Sequence, residues 1–253
     1  MGDMLSQAEI DALLNGTSFV GGNNEPSNST ADLTSQEIDA LGEIGNISMG
    51  TSATTLFTLL GHKVTITTPK VTISTWDEMS KEYPLPFVGV RVEYTDGLMG
   101  SNLLIMKEQD VKIITDLMMG GDGSNTGSDL TELHLSAISE AMNQMVGSSA
   151  TSMSSMFDKR IDISPPKAFM MRFGDGQDYM VQDGSQKVVK IAFKMIIGNL
   201  IDSEIMQLLP ISFAKSLVDN LLNAGSAAAS SAPVKEAPKQ SAPSVQRETR
   251  PQQ

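Results

Sequence analysis

The sequence predicts an α/β body of the α+β kind, built from two similar halves related by a pseudo-twofold axis. In each half a long helix packs on mainly antiparallel strands. Three observations predict this. The motif Asp32-Leu33-Thr34 returns as Asp129-Leu130-Thr131, an offset of 97 residues. At that offset residues 32–56 and 129–153 agree at ten of twenty-five positions, among them Ala40/Ala137, Glu43/Glu140, Asn46/Asn143, Gly50/Gly147 and the Ser-Ala-Thr of 52–54 and 149–151. Both stretches carry apolar residues at helical spacing, and each is followed by alternating or β-branched runs that read as strands.

Taken in order, the chain starts with a short helix. Across 5–14, Ser6 and Glu9 form a capping box, Leu5 and Ile10 occupy staple positions, and Asn15-Gly16 supplies a left-handed stop. So short a helix is not stable alone. It either packs on the body as an arm or docks Leu5, Ile10, Leu13 and Leu14 in a partner's groove. The leash at 16–31, rich in Gly, Asn and Ser, favours docking. Residues 32–223 form the body, long enough for a substantial core, with halves 32–128 and 129–223. Thr34 with Glu37 predicts the start of the first long helix, and Asp129 with Glu132 the start of the second. Strands follow at 63–68, 87–94 and 103–106, with counterparts at 168–173, 188–197 and 205–209. Helices at 108–119 and 213–223 close the halves. From 224 to 253 the composition is mostly Ala, Ser, Pro, Lys, Glu and Gln with no aromatic residue, which reads as a disordered tail or linker.

Composition narrows the function classes. The chain has 253 residues, 30 acidic and 18 basic, with a net charge of −12. The acidic balance argues against nucleic acid or an anionic membrane surface as partner, since both attract clustered Lys and Arg. With no cysteine, disulfides, thiolate metal sites and cysteine nucleophiles are excluded. The two histidines, His62 and His134, are not paired at ligand spacing. No apolar run nears the roughly 18 residues that span a bilayer, and no signal peptide opens the chain. The expectation is a soluble, intracellular, acidic protein with little of the usual catalytic equipment.

The chemistry lies on the two long helices. At 100° per residue, Asp39, Gly42, Glu43, Asn46, Gly50 and Ala53 share one arc of the first helix. Ile38, Leu41, Ile44, Ile47, Met49 and Leu56 share the other, the predicted core face. In the second helix Ser136, Ser139, Glu140, Asn143, Gly147 and Ala150 lie opposite Ile138, Met142, Met145, Val146 and Met153. An ordinary solvated face carries long Lys, Glu, Gln and Arg side chains, which are good helix formers. Each Gly in their place costs up to about 1 kcal/mol. A face kept bare at that cost implies that another backbone comes close. One Glu and one Asn on a helix are ordinary solvated surface. Here the spacing Asp39-x3-Glu43-x2-Asn46, followed after 22 residues by Pro69, repeats as Ser136-x3-Glu140-x2-Asn143 with Pro166. Glu, Asn and Pro at fixed positions meet by chance at roughly 1 in 10,000 start points.

This doubled pattern resembles the signature of the CheC/CheX/FliY family of chemotaxis phosphatases. Residues 5–16 resemble the peptide by which flagellar switch proteins capture phosphorylated CheY. The resemblance covers residues 4–223 and implies a duplicated CheC-like fold that dephosphorylates CheY at the flagellar motor switch. It implies that Asn46 and Asn143 orient the attacking water, that Glu43 and Glu140 dock the partner through its lysine, and that Asp39 and Ser136 add a polar contact. Pro69 and Pro166 would shape the start of the strand after each helix, while Gly42, Gly50, Ser139 and Gly147 would admit the partner's loops. Leu5, Ser6, Glu9, Ile10, Leu13 and Leu14 would bind CheY. The chain would need no metal or cofactor of its own, because CheY brings Mg²⁺ and a lysine beside its aspartyl phosphate. Further partners would be the switch proteins FliM, FliG and a FliN-like protein, at the cytoplasmic face of the flagellar basal body. The family pattern usually continues into a FliN-like domain, whereas this sequence ends in its Pro/Ala/Ser stretch; a truncation and a short form both fit.

Two other classes stay open. A pure binding module would hold phosphorylated CheY without hydrolysing it, although binding alone needs no water-orienting amide. An unrelated hydrolase would use Glu43 and Glu140 as paired carboxylates in one cleft. A calcium loop starting at Asp122 is disfavoured because its twelfth position is Leu133.

Overall fold

The computed structural model describes residues 33–174, 179 and 187–230, with side chains as far as Ala224. The predicted N-terminal helix with its docking residues, the leash at 16–31 and the chain from 231 onward lie outside the described residues. In chain order the elements are α1 (Ser35–Leu60), β1 (Val64–Ile66), β2 (Lys70–Thr75), α2 (Trp76–Glu82), β3 (Phe87–Asp96), β4 (Gly100–Lys107) and α3 (Glu108–Met118). The second half gives α4 (Glu132–Phe157), β5 (Asp162–Ile163), β6 (Lys167–Met171), β7 (Lys187–Ile197), β8 (Ile201–Pro210) and α5 (Ile211–Ser230). The final helix passes the predicted end at 223 because the run Ala224–Ser230 is rich in alanine, the best helix former.

Local signals set the helix ends. Thr34 caps α1 in the predicted box: its N–H donates to Glu37 Oε2 (2.6 Å) and the Glu37 N–H donates to Thr34 Oγ1 (3.2 Å). The second start is corrected. Thr131, not Asp129, caps α4, and its N–H donates to Nδ1 of His134 at 3.1 Å. Thr131 is the repeat counterpart of Thr34, so the inherited position outweighed the local Asp-x2-Glu pattern. The C-caps correspond as well. Gly61 and Asp158 occupy equivalent positions, both with positive φ (66° and 50°). The short helix α2, not foreseen, starts at a third capping box, in which the Glu78 N–H donates to Thr75 Oγ1 and the Thr75 N–H to Glu78 Oε2.

Among the described residues eight strands join one antiparallel sheet, and the pairing interleaves the halves. The order is β1-β7-β8-β4-β3-β5, with β2 also on β7 and β6 also on β3. Thus β1 and β2 of the first half run along the edge of β7 in the second. In exchange β5 and β6 run along the edge of β3 in the first. At the centre β4 meets β8, with Leu103 opposite Leu208 and Ile105 opposite Met206. The predicted match of strand 63–68 with 168–173 is therefore corrected: β1 answers to β5, and β2 to β6.

Both faces of the central strands are buried. Leu104, Met106, Val189, Ile191 and Phe193 face the helices, with Leu41, Ile44, Met49 and Leu56 of α1 and Ile138, Met142, Met145, Val146 and Met153 of α4. Leu103, Ile105, Leu208 and Met206 face the other way, against Met79 of α2, Phe87 and Phe173. One predicted core residue is not there: Ile47 is 40% exposed. Among the described residues no helix is long and apolar enough to cross a membrane.

Candidate functional site

The two long helices lie together through small polar residues. Ser52 Oγ donates to the Met145 carbonyl oxygen (3.0 Å), and the Thr51 and Ser152 hydroxyls share a hydrogen bond of 2.8 Å. These contacts fall near the middle of both helices, so each Glu/Asn pair lies in the N-terminal half of its helix, short of the crossing. A Glu and an Asn three residues apart share one helix face.

In the first copy Asp39, Glu43 and Asn46 are all exposed. Pro69 is half-buried and packs beneath the helix: a Cβ placed on Gly45 would lie 3.4 Å from Pro69 Cγ and 3.1 Å from the Phe193 ring. In the second copy Ser136 and Glu140 are exposed, Asn143 is half-buried and Pro166 is buried. There the structure gathers Ser136, Ser139, Glu140, Asn143, Pro166 and Lys167 around a cleft of about 380 Å³. The first copy has a cleft too, of about 420 Å³, but it lies further along the helix, between Gly50, Ala53 and Phe57 on one side and Val64 and Ile66 on the other. Glu43 and Asn46 do not line it.

Of the four small residues expected to admit a partner's loops, two face open space and two face the chain itself. A Cβ on Gly50 or Gly147 would meet nothing within 4 Å. By contrast a Cβ on Gly42 would lie 3.9 Å from Val71 of β2. Its counterpart Ser139 accepts the Ala168 N–H of β6 at 3.0 Å while donating to the Leu135 carbonyl at 2.7 Å. Positions 42 and 139 thus lie against a strand that follows each helix, β2 and β6. Ala150, placed on the polar arc by periodicity, is also buried.

One contact was not foreseen. Gln144 Nε2 donates to Glu140 Oε1 at 2.9 Å. The equivalent residue of the first helix is Ile47, which has no polar atom to offer. The only sequence signal for it is the i+4 spacing from Glu140 to Gln144, which the repeat does not mark because one copy alone carries it. The two carboxylates lie on separate helices; Glu140 lines the cleft on α4, Glu43 lines neither cleft, and no cleft described holds both. The paired-carboxylate hydrolase finds no support in that arrangement. Asp122, weighed as the start of a calcium loop, uses its Oδ1 to accept the Ser124 N–H (3.0 Å), a turn contact. Among the described residues no group of three or more His, Asp or Glu side chains is placed to hold a metal ion.

Comparison with known proteins agrees with this geometry. The CheC-like family signature matches residues 37–73 and 133–170, the two helix–strand units that carry the Glu/Asn pairs. The chain is 51% identical over 226 residues to the flagellar motor switch phosphatase FliY of Bacillus subtilis, covering 88% of this chain. It spans 59% of that relative's length. The crystal structure of Thermotoga maritima FliY superposes with a TM-score of 0.71 at 38% identity, covering 76% of this chain and 98% of that one. The FliM middle domain of H. pylori shares the fold alone, with a TM-score of 0.57 at 12% identity over 74% of this chain and 99% of that one. With the doubled signature on both helices and this identity over nearly all of the T. maritima structure, the chain belongs to the CheC-like family, within its FliY group.

Proposed function

We propose that the chain hydrolyses the aspartyl phosphate of the response regulator CheY at the flagellar switch. The observation that carries this reading is an exposed Glu followed one turn on by an Asn, exposed in the first copy and half-buried in the second, at equivalent places on two helices whose opposite arcs are mostly buried. The 51% identity to a protein named as a switch phosphatase supports it. In the reaction a water attacks phosphorus in line with the acyl phosphate bond. The P–O bond to the carboxyl group breaks, leaving inorganic phosphate and a free carboxylate on CheY. The Mg²⁺ and lysine at that phosphate belong to CheY, so this chain contributes position, which dominates phosphoryl transfer. A carboxamide both accepts and donates, so Asn46 or Asn143 can hold the water through its oxygen and a phosphoryl oxygen through its NH₂. Glu43 or Glu140 pairs with the CheY lysine and fixes the register, with Asp39 or Ser136 as a further polar contact. Pro69 and Pro166 hold the strand beneath each helix and do not touch the phosphate.

The N-terminal segment completes the reading. Leu5, Ser6, Glu9, Ile10, Leu13 and Leu14 would bind CheY and raise its concentration near both sites. FliM, FliG and a FliN-like protein are the switch partners of this reading, and the cytoplasmic face of the flagellar basal body its location.

The test is phosphate release from Mg²⁺-loaded CheY treated with acetyl phosphate. The parent chain is compared with Asn46→Ala, Asn143→Ala and the double substitution. The expected result is partial activity in each single variant and loss in the double. Binding that leaves the lifetime of the aspartyl phosphate unchanged would make the chain a binding module instead.

A further inference from the structure

We infer that the site on α4 is preorganised and the site on α1 is not, and that Gln144 is the positioning residue responsible. This rests on the phosphatase reading above. Gln144 Nε2 holds Oε1 of Glu140 at 2.9 Å, leaving Oε2 to meet a partner's cation. A glutamate has three side-chain torsions, and ordering them is part of what binding must overcome. At Glu140 that ordering precedes contact. At Glu43 it does not, because position i+4 is Ile47, which has no donor.

A second tether works in the same direction. The Ser139 hydroxyl accepts the Ala168 N–H, pinning the first residues of β6 to α4. Pro166 and Lys167 are thereby held beside Asn143, and the cleft of about 380 Å³ forms around them. Gly42 stands in place of Ser139 in the first copy and can make no such bond, and Asn46 stays exposed where Asn143 is half-buried. The copies therefore share the reacting groups and differ in the residues that hold them. The α4 site should bind phosphorylated CheY more tightly, while the α1 site should turn over as fast once occupied.

Single-site versions of the 253-residue chain test this. Asn46→Ala leaves only the α4 site to hydrolyse, and Asn143→Ala leaves only the α1 site. Steady-state hydrolysis of phosphorylated CheY gives KM and kcat for each, with KM reading binding where chemistry is slow. The expected KM is about two- to fivefold lower for the α4 site, on the scale of ordering one flexible side chain. Adding Gln144→Ile to Asn46→Ala should raise KM by that factor with kcat unchanged. Adding Ile47→Gln to Asn143→Ala should lower it. Both substituted positions lie on solvent-facing helix surface, so the fold is not at stake. Equal KM values for the two sites would overturn the inference. So would a Gln144→Ile effect confined to kcat, or an Ile47→Gln change that leaves KM unmoved. If the parent chain does not hydrolyse phosphorylated CheY at all, the phosphatase reading itself fails, and the inference with it.

Discussion

The helix carrying Glu43 and the helix carrying Glu140 have the same length and the same capping position, and both carry an exposed Glu with an Asn one turn on, yet their surroundings differ. On α4 the glutamate accepts from Gln144, the following strand is bonded to Ser139, and a cleft closes around Asn143. On α1 Ile47 and Gly42 stand in those places, and the nearby cleft opens elsewhere along the helix. A duplicated chain is an internal control: what both copies keep marks the shared chemistry, and what they do not keep marks how each copy is tuned.

The largest effect should come from removing what the copies share. Asn46→Ala with Asn143→Ala should lower the rate of phosphate release about 100-fold or more, as for loss of a group that orients or stabilises a transition state. Next come the open glycines. A Cβ at Gly50 or Gly147 meets nothing within 4 Å in the free protein, so Gly50→Leu and Gly147→Leu should each fold, and the lost glycine should raise stability by up to about 1 kcal/mol. Each should also lower hydrolysis at its own site roughly tenfold by obstructing the partner, measured in the matching single-site chain. A leucine tolerated at both positions would mean that no partner backbone comes close there.

The C-caps give a smaller and reciprocal pair. Gly61 and Asp158 hold the same left-handed geometry, which strains any residue with a Cβ. Asp158→Gly should stabilise the chain, and Gly61→Ala should destabilise it, each by about 1 kcal/mol in denaturant melts. The N-caps differ in acid. Hydrogen bonds from the Thr34 backbone and hydroxyl hold the Glu37 carboxyl below its ordinary 4.5. A depressed carboxyl stabilises the fold above that value and loses its contribution as pH falls through the folded-state pKa. The α1 cap should therefore weaken below about pH 4.5, and Thr34→Ala should flatten that part of the stability curve. The α4 box has His134 in place of the carboxylate, so Thr131→Ala should not.

Much of this was legible in the sequence because the repeat supplied a ruler. It located both long helices, the Glu/Asn pairs and the proline just ahead of β2 and of β6. Where a local pattern and the repeat disagree, the structure follows the repeat. Asp129-x2-Glu132 gave a false start two residues early, and strand 63–68 was matched to the wrong partner although the offset places β2 opposite β6. Helical angle alone put Ile47 inside, where tertiary packing leaves it 40% exposed. Gln144 escaped notice because it is peculiar to one copy. The exchange of edge strands between halves was also unreadable, since each edge run is too short and too ordinary to name its partner from periodicity.

That exchange sets the schedule on which the chain acquires its shape. Strand β2 begins at Lys70 but has no neighbour until β7, whose pairing residues end at Lys187–Ala192. As the polypeptide leaves the ribosome, the first helix and its edge strands must wait more than a hundred residues for the surface they will cover, and contacts this distant in sequence form slowly. The two copies cannot mature one after the other: the sheet is completed for both together.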